Sequence, residues 1–215
     1  MDVSRVTLVE AGQDGQGIAP PASEVRRRDR RQLVKRAEDL AIGGSLLLLL
    51  APLMALCALA VRLDSPGPVL LRERRFGPGN QPVMIFRFRI SHAATLRGDA
   101  PMTRVGRVLW CMSLDDLPRL FNVLMGTMSL VGPRARRVPV PLGGRRDREI
   151  VDARLKPGIT GLAQINGYRG LAGAPGRARR RIDHDLHYAE HWSLGMDIRI
   201  LCITLFRGVT SDSAA

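Results

Sequence analysis

The sequence contains few cysteines, few lysines and few aromatic residues. Cys57, Cys111 and Cys202 are widely spaced among apolar residues, which argues against a disulfide framework and against a cysteine-based metal site. Aromatic residues make up 4% of the 215 positions, so stacking groups for bases are scarce and a nucleic-acid-binding protein is disfavoured. The only lysines are Lys35 and Lys156, so arginine supplies nearly all of the positive charge.

A net charge of +13 occurs together with a hydrophobic fraction of 45%. Basic disordered proteins lack that many apolar residues, so part of this chain is buried in a core or in lipid. The positive charge indicates a polyanionic partner such as anionic lipid, phosphorylated substrates or nucleic acid. Nucleic acid is the weakest of these interpretations, because it leaves a long uncharged segment unexplained.

That segment covers residues 40–61, which contain no charged side chain. As a helix it is about 33 Å long, enough to cross the hydrocarbon core of a bilayer. Arginines flank it on both sides, and the positive-inside rule favours both flanks on the cytoplasmic side. Pro52 removes a backbone hydrogen bond near its middle. We therefore predict a re-entrant helical hairpin, with an ordinary spanning helix as the alternative.

The remaining chain predicts a small β element among helices. Residues 69–76 and 83–89 have the composition of two strands of a hairpin, and alternation places Arg87 and Arg89 on one face of the second strand. Those arginines are either a solvated strand face or a phosphate clamp. A helix should end before Gly126, and residues 135–148 should form a surface loop. A further helix is predicted over 182–190, then an apolar segment over 192–206 that is either interfacial or packed in the core.

Two adjacent carboxylates, Asp115 and Asp116, stand out in this cationic chain. Adjacent aspartates repel each other and need a cation, a helix N-terminus or water nearby. One interpretation is a capping box, with Ser113 as N-cap and Asp116 at N3. The other is a metal-assisted active site, with one carboxylate as nucleophile and the other as ligand. The three-residue spacing between Ser113 and Asp116 favours the capping-box interpretation when this stretch is considered alone.

Three histidines recur at helical spacing near the C-terminus. His184, His187 and His191 lie on one predicted helix face and could ligate a metal. No cysteine or clear fourth ligand accompanies them, so a polar helix face is the preferred interpretation.

Over residues 35–208 the sequence resembles the bacterial sugar transferases, which are monotopic polyprenyl-phosphate phosphoglycosyl transferases. Residues 164–170 are most similar to the exopolysaccharide members that transfer glucose 1-phosphate. Those members often carry further N-terminal membrane helices, and this sequence looks like the catalytic unit alone. The segments that carry the resemblance follow the order of the family and cover residues 63–69, 86–89, 103–106, 113–118, 128–134, 156–164, 185–188 and 192–194.

The resemblance implies a mainly α fold with a small β-hairpin. It implies a monotopic membrane protein with one re-entrant helical hairpin, interfacial amphipathic helices and an active site on the cytoplasmic face of the bacterial inner membrane. The expected divisions are a disordered basic leader over 1–32, the re-entrant helix over 33–62, a catalytic domain over 63–210 and a tail over 211–215. The expected partners are a UDP-sugar, undecaprenyl phosphate and membrane lipid but no nucleic acid, and a homodimer is one candidate assembly.

The reaction implied by the resemblance transfers a sugar 1-phosphate, with glucose favoured, from a UDP-sugar to undecaprenyl phosphate. Asp115 would be the nucleophile that forms a phosphosugar-enzyme intermediate. Asp116, with Asp115, would hold Mg²⁺. The phosphate-binding and site-lining residues implied in the same way are Arg89, Arg104, Arg134, Gly158, Thr160 and Gln164.

Several positions depart from the usual family pattern. Asp116 stands where glutamate is usual, and Arg119 stands where glutamine is usual. Smaller departures fall at Ala51, Ile90-Ser91, Pro101 and Ala135. They give the alternative hypothesis of a catalytically silent homologue that acts as a binding or assembly component of a polysaccharide machine.

Overall fold

The structure is a computed structural model that describes residues 22–77, 81–92, 101–137, 155–168 and 175–209. Contacts divide the chain into two units, Met1–Leu33 and Val34–Ala215, and every side-chain contact discussed below lies within the second unit. Helices outnumber strands, as predicted. The elements are α1 (Ala22–Asp64), β1 (Leu70–Phe76), β2 (Pro82–Phe88), α2 (Arg104–Cys111), a 3₁₀ helix (Leu114–Asp116), α3 (Arg119–Met125), β3 (Ser129–Val131), β4 (Arg136–Arg137), β5 (Gly158–Thr160), α4 (Leu162–Ile165), α5 (Pro175–His191) and α6 (Leu194–Val209).

Helix α1 differs from the prediction in two respects. It begins at Ala22, inside the predicted leader, because residues 22–42 contain no glycine or proline to stop a helix. It also continues through Pro52 as one helix, where two helices of a hairpin were predicted. A proline removes one hydrogen bond from a helix and can bend it without ending it. Among the described residues, Arg30–Asp64 is the one helix long and apolar enough to cross a membrane.

One face of α1 packs against the rest of the second unit along the apolar segment. Met54, Cys57 and Val61 are buried in a cluster with Phe88 and Leu109. Ile42, Leu46 and Leu50 lie against a second cluster formed around Val123, Leu130 and Ile200. The opposite face exposes leucines, which have no partner in the described part of the chain: Leu48, Leu49, Leu53, Leu56, Leu59 and Leu63.

The start of the apolar segment is attached to α3 and β3 by polar contacts. Arg36 donates to the carbonyl oxygens of Val123 and Leu124 at 2.6 and 2.7 Å, which satisfies the C-terminus of α3 with a cation. Asp39 is 1% exposed and accepts hydrogen bonds from the Ser129 hydroxyl and the Leu130 N–H, both at 2.9 Å. These contacts fix α1 beside the segment that leads to the site.

The predicted hairpin is confirmed, with strands shifted by one residue. β1 and β2 pair antiparallel, and β4 adds a third strand on the other side of β1. Residues 136–137 were predicted as loop; they pair instead with the free edge of β1, while 138–148 lie outside the described residues. β3 and β5 form a separate parallel pair, which places the residues after β3 beside Gly158.

A buried carboxylate joins α1, α5 and α6. Asp197 is 0% exposed and accepts from Lys35 at 2.6 Å, from the Tyr188 hydroxyl at 2.8 Å and from the Trp192 indole N–H at 2.8 Å. Trp192 therefore packs against the core, whereas Leu205 and Phe206 of the same segment are exposed, so both alternatives for this segment stay open. The helix predicted over 182–190 lies within α5, and the apolar segment largely coincides with α6.

Candidate active site

The two adjacent carboxylates lie between α2 and α3. Ser113 precedes the 3₁₀ helix in the left-handed conformation, with φ of 56°, and its side chain makes no capping hydrogen bond. The capping-box interpretation is therefore wrong, because Ser113 does not have the extended conformation of a serine N-cap and its hydroxyl does not accept from the turn that follows. α3 ends at Met125, before Gly126 in the left-handed conformation, as predicted. The charges of the carboxylates are balanced by arginine side chains.

Asp115 is buried, with 3% of the residue exposed, and is held by Arg87 from β2. Arg87 Nε donates to Asp115 Oδ2 at 2.6 Å, and Arg87 Nη2 contacts the same oxygen. Burial and repulsion by Asp116 raise the pKa of the Asp115 carboxyl, and the charge of Arg87 opposes that shift. The site thus holds a desolvated carboxylate whose ionised form is favoured mainly by Arg87 and to a lesser extent by Arg119.

Asp116 is more open and has a different arginine partner. Its side chain is 32% exposed, and its Oδ1 lies 2.6 Å from Arg119 Nη2 on the first turn of α3. Arg87 Nε lies 3.6 Å from the same oxygen. The two departures from the family pattern, at positions 116 and 119, therefore contact each other.

Arg134 lies close to this pair. It follows β3 through Gly132 and Pro133, and the bridge to Gly158 holds its backbone. Burial first, and then repulsion by Arg181 and Arg119, lower the pKa of Arg134 to about 10, while Asp116 opposes that shift. The predicted phosphate binder is thus one of several guanidinium groups around Asp116.

The predicted glycine-rich loop supports the Arg134 turn. A Cβ on Gly158 would lie 2.2 Å from the Gly132 nitrogen, so only glycine allows this close approach. The Thr160 hydroxyl lies 2.7 Å from the Thr204 hydroxyl of α6, and the Thr160 carbonyl accepts from Gly132. The Gln164 side-chain oxygen is buried and has no hydrogen-bond partner in the described part of the chain. Substrate contact by these three residues remains a prediction.

Arg89 and Arg104 are not among the arginines that form ion pairs with Asp115 or Asp116 in the described part of the chain. Arg89 is 1% exposed and donates to the carbonyl oxygens of Pro66, Ser65 (2.6 Å) and Val61 (3.4 Å), which fixes the turn after α1. Arg104 is exposed at the start of α2, whose N-cap Thr103 accepts from the Gly106 N–H. Phosphate binding by these two arginines remains a prediction.

Two arginines of the site, Arg87 and Arg119, were not among the predicted site residues. Arg87 was recognised only as a member of an arginine pair on one strand face. The signal that separates it from Arg89 is position, because β2 ends at Phe88 and the next side chain turns toward α1. Asp116 and Arg119 are spaced i, i+3, at which oppositely charged helical side chains meet. That spacing was available from the sequence.

The donor set at Asp115 and Asp116 is compatible with Mg²⁺. This ion is commonly bound by one or two carboxylates together with substrate phosphates, so a cage of protein ligands is not needed. Asp116 is partly exposed and has a second carboxylate oxygen beyond the one that faces Arg119. Among the described residues, no group of three or more metal-ligating side chains occurs, and the His187 and His191 rings stack with centroids 4.4 Å apart.

Comparison with known proteins assigns the chain to a family. The family described as Bacterial sugar transferase matches residues 30–211, which is most of the sequence. The chain belongs to the bacterial sugar transferase family. Within this family it is 38% identical over 208 residues to the UDP-glucose:undecaprenyl-phosphate glucose-1-phosphate transferase of Escherichia coli (strain K12), covering 90% of the chain and 43% of that relative.

Two further relatives differ in how much of their length this sugar transferase covers. The undecaprenyl-phosphate glucose phosphotransferase of Komagataeibacter xylinus is 43% identical over 196 residues, which cover 85% of the chain and 37% of the relative. The exopolysaccharide production protein PSS of Rhizobium leguminosarum bv. phaseoli is 38% identical over 192 residues, covering 83% and 96%. The chain thus spans about two-fifths of the first two relatives and nearly all of the third.

Proposed function

We propose that this chain transfers a sugar 1-phosphate, with glucose favoured, from a UDP-sugar to undecaprenyl phosphate, and so initiates synthesis of an exopolysaccharide or related glycan. The observation that carries the proposal is the buried Asp115 carboxylate, held by Arg87 beside a second carboxylate and further arginines. Relatives that are 38–43% identical have names that state the same reaction with glucose. The substrate assignment follows those names.

The arrangement supports a two-step covalent mechanism. Both contacts of Arg87 fall on Asp115 Oδ2, so we assign the attack to Oδ1. Oδ1 forms a bond to the sugar-bearing phosphorus, and the bond from that phosphorus to the bridging oxygen breaks, with UMP leaving. A phosphate oxygen of undecaprenyl phosphate then attacks the same phosphorus. This releases the Asp115 carboxylate and gives undecaprenyl-diphosphate sugar.

Asp116 and the nearby arginines balance the charge of the donor. Asp116 would hold Mg²⁺ together with Asp115, and the ion would neutralise the diphosphate and stabilise departing UMP. Arg134 would bind phosphate oxygens beside Asp116, since arginine offers two parallel donors to such groups. Burial strengthens the interactions of Asp115 most, because water is largely excluded from this carboxylate.

The contacts of α1 support a monotopic arrangement at the cytoplasmic face of the inner membrane. Asp39, before the apolar segment, accepts from Leu130. Val61, at the end of the segment, contacts Arg89 next to β2. A single crossing would carry these two ends to opposite sides of the bilayer, although both are attached to one body. The exposed leucines of α1, with Val108, Trp110 and Met112 around α2, are suited to contact lipid.

The central test measures UMP release by the full chain in nanodiscs that contain undecaprenyl phosphate, with UDP-glucose and MgCl₂. The wild type should release UMP, and Asp115→Asn should reduce the rate at least about a thousandfold because the nucleophile is removed. Glu190→Gln, which changes an exposed carboxylate at the end of α5, should keep the rate. Without acceptor, label from the glucose of UDP-glucose should attach to the wild type only.

Label attached to Asp115→Asn would contradict the assignment of the nucleophile. UDP binding without UMP release from any of a panel of UDP-sugars would contradict the proposed enzyme and favour the silent homologue.

A further inference from the structure

Arg119 has the environment of a ligand-binding group. Its side chain is 12% exposed on the first turn of α3, and its Nη2 lies 2.6 Å from Asp116 Oδ1. Its Nε is buried and has no hydrogen-bond partner among the described residues. A buried guanidinium with an unused donor costs free energy unless a further acceptor is supplied. Asp116 Oδ1 is also buried without a hydrogen-bond partner in the described part of the chain, so the ion pair leaves hydrogen-bonding capacity unused on both side chains. A ligand that accepts from Nε would satisfy the donor on Arg119.

A second guanidinium shares this region. The positive charges of Arg181 and Arg119 add to burial in lowering the pKa of Arg134. Arg181 of α5 also donates to the Arg134 carbonyl at 3.4 Å, so it reaches the same turn. Like charges brought together in a partly buried region are stabilised by an anion that accepts from both. Arg181 has its own partner, Asp185, at 3.8 Å, so of these three arginines Arg134 and Arg119 are the ones that share Asp116.

The available carboxylates leave an excess of positive charge at the site. Arg87 contacts Asp115, and Arg119 contacts Asp116. Arg134 adds a third guanidinium, for which Asp116 is the attractive carboxylate and is already paired. A diphosphate carries oxygens on two adjacent phosphorus atoms, which suits two neighbouring guanidinium groups.

We propose that Arg119 is a donor-binding residue, whose guanidinium is oriented by Asp116 and binds the diphosphate of the nucleotide sugar together with Arg134. The inference rests on the proposed function for the identity of the donor. It assigns Asp116 a second task, because this carboxylate positions a guanidinium as well as serving as a candidate ligand of Mg²⁺. An ion pair that only stabilised α3 would contribute a few tenths of a kcal/mol and would not affect ligand binding.

The test uses isothermal titration calorimetry of the full chain in nanodiscs, with UDP and with uridine as probes, in the presence of MgCl₂. Arg119→Gln should weaken UDP binding about 10- to 100-fold, the range for a lost charge-assisted hydrogen bond. Arg119→Lys should weaken it less, because the charge remains. Arg107→Gln removes an exposed positive charge from α2 and should leave UDP affinity within about twofold. Uridine affinity should be the same in all of these proteins, because uridine has no phosphate.

Unchanged UDP affinity in Arg119→Gln would overturn the inference. An equal loss of uridine and UDP affinity would also overturn it, because it would indicate a general disturbance of the site. If Arg119→Gln has a lowered melting temperature, the UDP and uridine affinities of Arg119→Lys are compared with those of the wild type instead. UMP release is measured separately, so a wild type that binds UDP through Arg119 but releases no UMP would sink the proposed function and leave this inference standing.

Discussion

At the scale of single residues, opposing influences act on the ionisation of Asp115, the proposed nucleophile. Burial and the neighbouring Asp116 favour the protonated acid, whereas Arg87 favours the carboxylate. A nucleophile needs the carboxylate, but desolvation also makes that carboxylate more reactive once it is formed. Arg87 is therefore expected to set the pH range in which the proposed reaction runs.

Removal of Arg87 should change the pH dependence of activity. In the proposed mechanism, activity should fall as pH drops through the pKa of Asp115, because the nucleophile becomes protonated. Arg87→Gln removes the charge that lowers this pKa, so the acidic limb of kcat/KM should move to higher pH, with a lower rate at every pH. Arg87→Lys should give a smaller shift. UMP release measured from pH 5 to 9 checks this.

Arg107→Gln serves as the control for net charge and should leave the acidic limb in place. A slower Arg87→Gln enzyme with an unmoved limb would mean that Arg87 does not control the ionisation of Asp115.

Residue types made the carboxylate pair a candidate site, and the family resemblance gave Arg134 its predicted role, but neither identified the partners of the arginines. Arg87 and Arg89 alternate identically along the chain, yet Arg87 reaches Asp115 and Arg89 reaches carbonyl oxygens after α1. That difference depends on tertiary packing at the end of β2. The pairing of Asp116 with Arg119 is local and could have been predicted from spacing.

At the scale of elements, local signals were sufficient for the β-hairpin and for the end of α3. Turn residues bound the two strands, and Gly126 with φ of 80° ends the helix. The parallel pair of β3 and β5 joins residues about thirty positions apart, and β4 covers an edge of β1. Such pairings are set by contacts distant in sequence, which composition does not encode. The length of α1 was underestimated because its charged first part was assigned to a disordered leader.

Substitutions at two neighbouring glycines of α1 test how closely this helix packs against α3. A Cβ on Gly43 would lie 3.2 Å from Val123 Cγ1, whereas Gly44 has no heavy atom within 4 Å. Gly43→Leu should destabilise the fold by about 1–3 kcal/mol, because added methylenes force α1 away from α3. Gly44→Leu should be neutral or stabilise by about 0.5 kcal/mol, through better helix propensity. Thermal unfolding of both variants in nanodiscs provides the comparison, and equal losses would refute this packing.

At the scale of the whole molecule, the position of the apolar segment relative to the bilayer would control access to both substrates of the proposed reaction. A nucleotide sugar is dissolved in water and a polyprenyl phosphate is dissolved in lipid, so the proposed reaction requires Asp115 to lie at the boundary between them. The two ends of the segment are attached to one body through Asp39 and Val61. This attachment favours an active site at the membrane surface, with both ends of the segment on one side of the bilayer.

Labelling of cysteines at both ends of the apolar segment tests this arrangement. Cys57, Cys111 and Cys202 are first replaced by serine or alanine, in a variant that retains UMP release. Ala37→Cys and Leu63→Cys then place single thiols at exposed positions before and after the segment. In sealed inner-membrane vesicles of known orientation, an impermeant maleimide should label both from the cytoplasmic side. Labelling of Leu63→Cys from the periplasmic side alone would establish a crossing, and would require the contacts of Val61 with Arg89 to be absent in the membrane.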